Sequence, residues 1–185
     1  MTERLLVQAV MGGDHEAFEV LATASADRLY TIARLILRDV HEAEDAVQEA
    51  LVRAWREAPS LRDPERWDAW LRRLVVNACA DEGRRRRRRS ATIRLIHEPL
   101  VLSDASSTIG DRDQLDRGFR RLKPQQRAAV VLRYYVGLSL PEVADALGVP
   151  VGTAKSRLFY ATSALRAALE ADARMPVATS ETRTS

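Results

Sequence analysis

Cationic, hydroxyl and aromatic side chains follow one another closely in the segment that begins at Val151. Lysine and arginine bind phosphates, hydroxyl groups hydrogen-bond phosphates or base edges, and an aromatic ring can contact a thymine methyl group. The segment is therefore a candidate for contact with nucleic acid. Its candidate side chains are Thr153, Lys155, Ser156, Arg157, Phe159 and Tyr160.

A second cationic set leads into a run of consecutive arginines, Arg84 to Arg89. At helical spacing, Arg66, Arg73, Asn77 and Arg84 lie on one polar face that continues into this run. Such a density of arginine can neutralise a phosphate backbone, although basic runs also bind other polyanions or only water. The pattern indicates a second surface for a polyanion.

Charge is unevenly distributed along the chain. Residues 1 to 80 carry 10 basic and 14 acidic side chains, whereas residues 81 to 94 carry 7 basic and 2 acidic ones. An acidic part next to a basic one indicates two kinds of partner, one of them a polyanion such as nucleic acid. Unrelated solvated faces are the alternative interpretation.

The sequence offers no convergent set of residues for catalysis, a metal or a cofactor. It has neither a Gly-rich phosphate loop nor a nucleophile elbow, Cys79 is the single cysteine, and His15, His41 and His97 are far apart. No apolar stretch approaches the roughly 20 residues that cross a bilayer, and the N-terminus lacks the features of a signal peptide. We expect a cytoplasmic protein without membrane insertion, cofactor, metal or enzymatic activity.

Helical periodicity runs through nearly the whole chain and predicts an all-α fold. Asp39 and Glu42 have capping-box spacing, so a helix should run from near Val40 to about Ala58. Asp63 followed by a proline predicts the next helix start. The predicted buried stripes of these first helices are Leu29, Ile32, Ala33 and Ile36; Ala43, Val47, Ala50, Leu51 and Ala54; and Trp67, Trp70, Leu71, Leu74, Val75 and Ala78.

The periodicity lapses between residues 90 and 112, where small polar residues, a proline and a glycine accumulate. This predicts two small helical domains, at residues 8–89 and 113–170, joined by a flexible linker at 90–112 and followed by a disordered tail at 171–185. In the second domain, Pro124 should open a helix whose buried face comprises Ala128, Val131, Leu132 and Tyr135.

The stretch from Ser139 to Leu165 is typical of a helix-turn-helix unit. Ser139 and Glu142 form a capping box, and Gly148 permits the left-handed backbone that ends the first helix. A second helix then begins near Val151, with Ala154 and Leu158 packing inward, and can enter a major groove. An ordinary helical hairpin is the structural alternative.

The amino-acid sequence of this stretch favours the helix-turn-helix unit over the ordinary helical hairpin. GLSLPEVADALGVPVGTAKSRL closely resembles the second half of the promoter minus-35 reading domain of extracytoplasmic-function sigma factors, and LKPQQRAAVVLRYYVGLS resembles its first half. After KSRL the family usually has further basic residues, whereas this chain has Phe159 to Ser163, which removes expected phosphate contacts. The resemblance implies minus-35 contacts by Arg133, Thr153, Lys155, Ser156, Arg157, Phe159 and Tyr160.

Two pieces of the first domain resemble the same family. DVHEAEDAVQEALVRAWR resembles the helix that docks on the β′ clamp helices of RNA polymerase, which implies polymerase contacts by Asp45, Gln48, Glu49, Arg53 and Trp55. The alternatives are a solvated face with an internal pair between Glu49 and Arg53, and a core position for Trp55.

RWDAWLRRLVVNACADEGRRRRRR is similar to the region of the family that recognises and melts the minus-10 element. This implies DNA contacts by Arg66, Arg73, Asn77, Arg84 and Arg85, with an extruded base held by the loop around Ser60 to Arg62. Trp67 and Trp70 are expected in the core, since they share its stripe.

The sequence as a whole resembles a sigma factor of the extracytoplasmic-function type. The resemblance implies the polymerase core, through its β′ clamp helices and β flap, promoter DNA and an anti-sigma factor as partners. A self-sufficient helix-turn-helix repressor or activator is the other class, but it would normally dimerise, and no heptad seam is present in the sequence.

Overall fold

The structure is a computed structural model that describes residues 2–94 and 117–173. Within these ranges all regular structure is helical, as predicted, and a short helical stretch covers residues 117–121. Two 3-10 turns, Ala58–Ser60 and Pro64–Arg66, separate the third and fourth helices. The helices are α1 (Glu3–Met11), α2 (His15–Leu37), α3 (Val40–Glu57), α4 (Trp67–Arg94), α5 (Pro124–Val130), α6 (Leu140–Leu147) and α7 (Val151–Ala173).

Short acidic side chains cap the starts of helices in the first half of the chain, residues 2–94; residues 117–173 form the second half. The Asp39 carboxylate accepts a hydrogen bond from the Glu42 backbone N–H at 3.0 Å, which begins α3 where the sequence predicts it. Asp63 accepts from the Glu65 N–H at 3.0 Å, but Pro64 opens a 3-10 turn, and α4 itself begins at Trp67.

The first half buries one face of each of its four helices. Ile32 and Ile36 of α2, the small residues Ala43 and Ala50 of α3, and Trp67 of α4 are buried in one apolar cluster where these three helices pack on one another. The predicted stripes are buried, apart from partial exposure of Leu51 and Trp70. Helix α1 also belongs to this core, so the packed unit begins before residue 8.

The predicted domain limits fall partly inside helices. Helix α4 continues to Arg94, so residues 90–94 of the segment predicted as a linker are helical, and α7 runs through residue 173. The rest of the predicted linker, 95–112, and of the predicted tail, 174–185, lies outside the described residues.

The prediction that Tyr135 faces the core was wrong, because α5 continues into a π-helical turn, Val131–Tyr135. The Val136 N–H donates to the Val131 carbonyl at 3.0 Å, an i,i+5 bond. A π-turn adds about one residue, so the inward position moves from Tyr135 to Val136. Tyr135 is 58% exposed, whereas Val136 is half-buried against the core.

The helix-turn-helix unit has the predicted geometry. Ser139 and Glu142 form the capping box at the start of α6, and Gly148 ends it with a φ of 61°. Ala144 and Ala154 are both buried where α6 crosses α7. On the other side of α7, a smaller cluster comprises Leu122, Val130, Ala161 and Leu165.

The two halves of the chain pack directly on each other. Helix α4 lies against α6, and α2 lies against α5. Ala128, Leu132 and Ala146 of the second half therefore belong to the same buried cluster as the core of the first half. The four helices of the first half and α5 to α7 share one contiguous apolar interior.

Candidate nucleic-acid interface

Helix α7 presents a mixed polar and aromatic surface to solvent. Lys155 and Ser156 are exposed, and Phe159 and Tyr160 are 65% and 62% exposed, while Ala154 faces α6 and is fully buried. Packing of the alanine fixes the rotation of the helix, so these four predicted side chains share an accessible surface. The rings of Phe159 and Tyr160 meet edge to face with centroids 5.7 Å apart.

The Ser156 hydroxyl is positioned by its own helix. Its Oγ donates within reach of two backbone carbonyls, those of Gly152 at 3.1 Å and Thr153 at 3.0 Å. Because the single hydroxyl proton is used inside the helix, the free lone pairs make Ser156 an acceptor toward an outside group. Such a group would be a donor, for example a base amino group.

Three other predicted minus-35 residues have different environments. Thr153 and Arg157 are half-buried, and Arg157 lines a cavity of about 170 Å³ at the junction with α4. The Arg133 guanidinium is exposed and donates to the Leu138 carbonyl at 2.8 Å, which ties the π-turn to the loop before α6. This contact leaves other Arg133 N–H groups for a phosphate.

The predicted minus-10 residues Arg66 and Arg73 lie at a pocket next to the loop before α4. The pocket has a volume of about 340 Å³, within the range of ~300–1,000 Å³ typical of small-ligand sites. Leu61 and Arg62 of the loop form one side, and Trp70 supplies an aromatic wall. Leu61 and Arg62 belong to the loop, around Ser60 to Arg62, for which the family resemblance implies an extruded base; Ser60 does not line the pocket.

Asp145 of α6 completes this pocket from the other half of the chain. Its carboxylate oxygens lie 3.7 Å from Arg66 Nη2 and 4.0 Å from Arg73 Nη1. The sequence analysis missed this residue, and no local signal could have found it, because its position depends on how the two halves pack.

Asn77 and Arg84 are separated from that pocket. They lie farther along α4 and line the second cavity together with Pro124 and Arg157. The predicted minus-10 set is therefore divided among three places: the two cavities, which residues of the second half help to line, and the contact of Arg85 with Glu49 and Glu82.

The arginine run is bound to carboxylates of its own chain. Arg85 lies 3.0 Å from Glu49 of α3 and 3.2 Å from Glu82, Arg86 lies 3.5 Å from Glu42, and Arg84 pairs with Asp81. Burial raises the pKa of Glu42, and the positive charge of Arg86 opposes that rise. The first residues of the run thus pack α4 against the acidic helix α3.

The predicted polymerase-binding residues occupy two environments. Asp45 and Gln48 are exposed on α3, whereas Glu49 and Arg53 are half-buried toward α4. Arg53 lies 4.0 Å from both Glu57 and Asp81, while Glu49 binds Arg85, so the alternative pair between Glu49 and Arg53 is not the observed arrangement.

Trp55 packs against other aromatic rings and remains partly exposed. Its ring is half-buried, with centroids 5.2 Å from that of His15 and 5.3 Å from that of Phe18. Val52, which the sequence analysis did not single out, is 44% exposed on the face of α3 that carries Gln48. The sequence could have indicated this exposure, because Val52 lies outside the predicted buried stripe of α3.

Within the described ranges, no group of three or more histidine, cysteine, aspartate or glutamate side chains has the arrangement of a metal site. Cys79 is buried, and burial raises the pKa of its thiol to about 12. No helix in this part of the chain is long and apolar enough to span a membrane.

Two family models match the chain in succession. Residues 21–89 match sigma-70 region 2, and residues 112–165 match sigma-70 region 4. The ECF RNA polymerase sigma factor SigM of Mycobacterium tuberculosis is 36% identical over 160 residues, which cover 86% of this chain and 81% of the relative. SigW of Bacillus subtilis is 28% identical over 173 residues, covering 86% and 92%.

A solved structure agrees with these matches. The sigma factor RpoE of Bartonella quintana, in complex with the anti-sigma factor NepR, superposes with a TM-score of 0.65 at 26% identity, covering 84% of this chain and 98% of that one. From the two successive region models, the identity to SigM and this shared fold, we conclude that the chain belongs to the extracytoplasmic-function sigma factors of the sigma-70 family, which direct promoter-specific transcription initiation.

Proposed function

We propose that the chain binds core RNA polymerase and reads both promoter elements with separate surfaces, without cofactor or catalysis of its own. The observation that carries this proposal is the exposed face of α7, where Lys155, Ser156, Phe159 and Tyr160 lie together on the second helix of a helix-turn-helix unit. A protein with this role acts where the polymerase is, in the bacterial cytoplasm.

The α7 face reads the minus-35 element in the major groove. Lys155 donates to a base or phosphate, Ser156 accepts from a base amino group, and the Phe159 ring contacts a thymine methyl. Arg133, Thr153 and Arg157 support the unit or contact phosphates. The aromatic pair of Phe159 and Tyr160 stands where the family usually has basic residues, so this helix depends more on apolar contacts.

The pocket beside Leu61 and Arg62 holds an unstacked base of the minus-10 element. An extruded base needs a stacking partner and its phosphates need positive charge, and the pocket offers Trp70 together with Arg66 and Arg73. Farther along α4, Asn77, Arg84 and Arg85 follow the strand.

The exposed side of α3 binds the clamp helices of the β′ subunit. Asp45 and Gln48 are accessible there, and Val52 adds an apolar contact. By analogy with the family, the second half contacts the β flap, and an anti-sigma factor is a further partner, as in the RpoE structure.

The test is transcription in vitro with purified core polymerase and a library of promoter fragments. We expect initiation that depends on the added chain and a selected sequence preference at both elements. Duplex binding by the chain alone, with no effect on the polymerase, would point to a self-sufficient regulator and contradict the proposal.

A further inference from the structure

One wall of the pocket proposed for the minus-10 base is built from two very short turns. Leu61 and Arg62 lie between the 3-10 turns Ala58–Ser60 and Pro64–Arg66, and all but the first of these segments contribute lining residues. Each turn has only three residues, and the first is closed by a bond of 3.0 Å from the Leu61 N–H to the Ala58 carbonyl. Runs this short have poor hydrogen-bond geometry. The position of this wall must therefore come from the elements packed behind it.

Helix α1 packs against both turns of the wall. Its residues Leu6, Val7 and Val10 are buried in the core of the first half. Ala58 of the first turn is fully buried in the same cluster. Helix α1 precedes residues 21–89, the part of the chain that matches sigma-70 region 2, so its contact with the wall is not described by that match.

The first turn of α1 also makes a polar contact with the Pro64–Arg66 turn. Arg4 Nε lies 3.6 Å from Glu65 Oε1, and the side chains are 64% and 66% exposed. Glu65 stands between two residues that line the pocket, Asp63 and Arg66, but does not line it itself. Its backbone N–H donates to the Asp63 carboxylate at 3.0 Å. A displacement of Glu65 would therefore move both lining residues.

Glu3, the neighbour of Arg4, acts on the start of α4. Arg28 of α2 donates to both carboxylate oxygens of Asp68, at 3.0 and 2.6 Å. These hydrogen bonds raise the pKa of Arg28, and the negative charge of Glu3 adds to the rise. Consecutive charged residues of α1 thus interact with the Pro64–Arg66 turn directly and, through Arg28, with the first turn of α4.

We propose that Arg4 is a positioning residue for minus-10 recognition, which holds Glu65 against α1 so that Asp63 and Arg66 keep the shape of the pocket around an extruded base. This role of Arg4 rests on the proposed function of the pocket. Arg4, Glu65 and the wall all belong to the first half, so their contact does not depend on where the second half lies. An exposed ion pair is weak, so its loss should lower discrimination between bases by only about 2- to 5-fold.

The experiment measures base discrimination by the holoenzyme. Promoter fragments that carry each of the four bases at every minus-10 position are bound by holoenzyme formed with the full chain. Discrimination is the ratio of the affinity for the preferred base to that for the others. Arg4→Ala should lower this ratio about 2- to 5-fold at the position of the extruded base, with wild-type thermal stability and minus-35 preference. Arg4→Lys should keep the ratio, because an ammonium group can also pair with Glu65.

Glu65→Ala tests whether Arg4 acts through Glu65. This variant should reproduce the loss of discrimination seen with Arg4→Ala, and the double variant should lose no more than either single variant. Gln8→Ala, at an exposed position of α1 one turn after Arg4, is the control and should discriminate between bases as wild type does.

The contrary outcomes are distinguishable from one another. If Arg4 contacts a DNA phosphate directly, Arg4→Ala would weaken binding of all sequences about equally and reduce its salt dependence, and Glu65→Ala would not reproduce the effect. That result would overturn the positioning role, as would an unchanged ratio for Arg4→Ala beside a clear wild-type preference. Failure of the proposed pocket would appear already in wild type, as an absence of minus-10 preference, and would remove the role of Arg4 with it.

Discussion

Glu49 of α3 and Arg85 of α4 lie 3.0 Å apart, which joins a side chain predicted to bind polymerase to one predicted to bind DNA. Both are partly exposed, at 33% and 54% for the side chains. The contact packs the acidic helix against the basic one, so either residue affects the fold as well as its proposed partner. Experiments on this surface must separate the two effects.

Asp45 and Glu49 should therefore respond differently to charge reversal. Asp45→Lys should weaken binding of core polymerase with little change in thermal stability, since Asp45 is exposed. Glu49→Lys should weaken binding and also lower the midpoint of thermal unfolding, because the new ammonium group lies beside Arg85. Glu49→Gln, which keeps a hydrogen-bond acceptor for Arg85 and adds no positive charge, should lose less stability than Glu49→Lys. Normal affinity of Asp45→Lys in a polymerase titration would argue against this surface.

Lys155 should contribute to sequence preference at the minus-35 element. If it donates to a base, Lys155→Ala costs about 1–3 kcal/mol on the preferred promoter and relaxes preference at one or two base pairs. Selection of promoter variants by the holoenzyme measures both effects, with Arg166→Ala on the exposed surface of α7 as control. Uniform weakening across all sequences would instead assign Lys155 to a phosphate.

Phe159→Ala should change the base preference at the minus-35 element through the loss of an apolar contact. Its ring is 65% exposed, and we expect loss of discrimination for thymine over cytosine, which lacks the methyl group. The same selection with Tyr160→Ala shows whether the neighbouring ring supports Phe159. An unchanged consensus for both variants would mean that the aromatic pair does not read bases.

Arg127 should destabilise the packed form. Its burial, and then repulsion from Arg38 and Arg86, lower its pKa to about 10 against the opposing attraction of Glu42. Arg127→Met keeps the apolar stem and removes the charge, so the free energy of unfolding at neutral pH should rise by about 1–3 kcal/mol. Chemical denaturation measures this, with Arg121→Met at an exposed position as control. A loss of stability would mean that the bond from Arg127 to the Phe119 carbonyl outweighs the repulsion.

Asp68 should make stability depend on acid pH. Arg28 donates to both carboxylate oxygens, at 2.6 and 3.0 Å, and holds the pKa of Asp68 below its ordinary value. The unfolded chain therefore takes up the proton at higher pH than the folded one. The stabilisation is complete above the unfolded pKa, ~3.9, and is lost as pH falls through the lower folded value.

Asp68→Asn should consequently lower stability at pH 6 by about 0.5–1 kcal/mol, a small value because both side chains are more than a third exposed. The difference from wild type should shrink toward pH 3. Thermal unfolding across this range measures it, and Asp27→Asn on the exposed face of α2 controls for loss of one carboxylate. A difference that stays constant with pH would contradict the assignment.

The local signals in the sequence determined the helices and the recognition unit. Asp39, Ser139 and Gly148 act within a few residues of themselves, through backbone N–H groups or their own φ, so their effect can be predicted without knowledge of the rest of the fold. The exposure of Tyr135 could not be predicted in this way, because a π-turn changes which residues of the helix face the core and has no recognisable residue pattern.

The sequence by itself determined the all-α class, the helix-turn-helix unit and the exposed face of α7, since these depend on periodicity and on neighbours along the chain. Only the tertiary structure decided that Glu49 binds Arg85, that Arg127 is buried near both Arg86 and Glu42, and that Asp145 lines the pocket of Arg66. These contacts join residues that are distant in sequence. Their geometry depends on how whole helices pack, and a local pattern carries no information about which face of another helix will lie opposite.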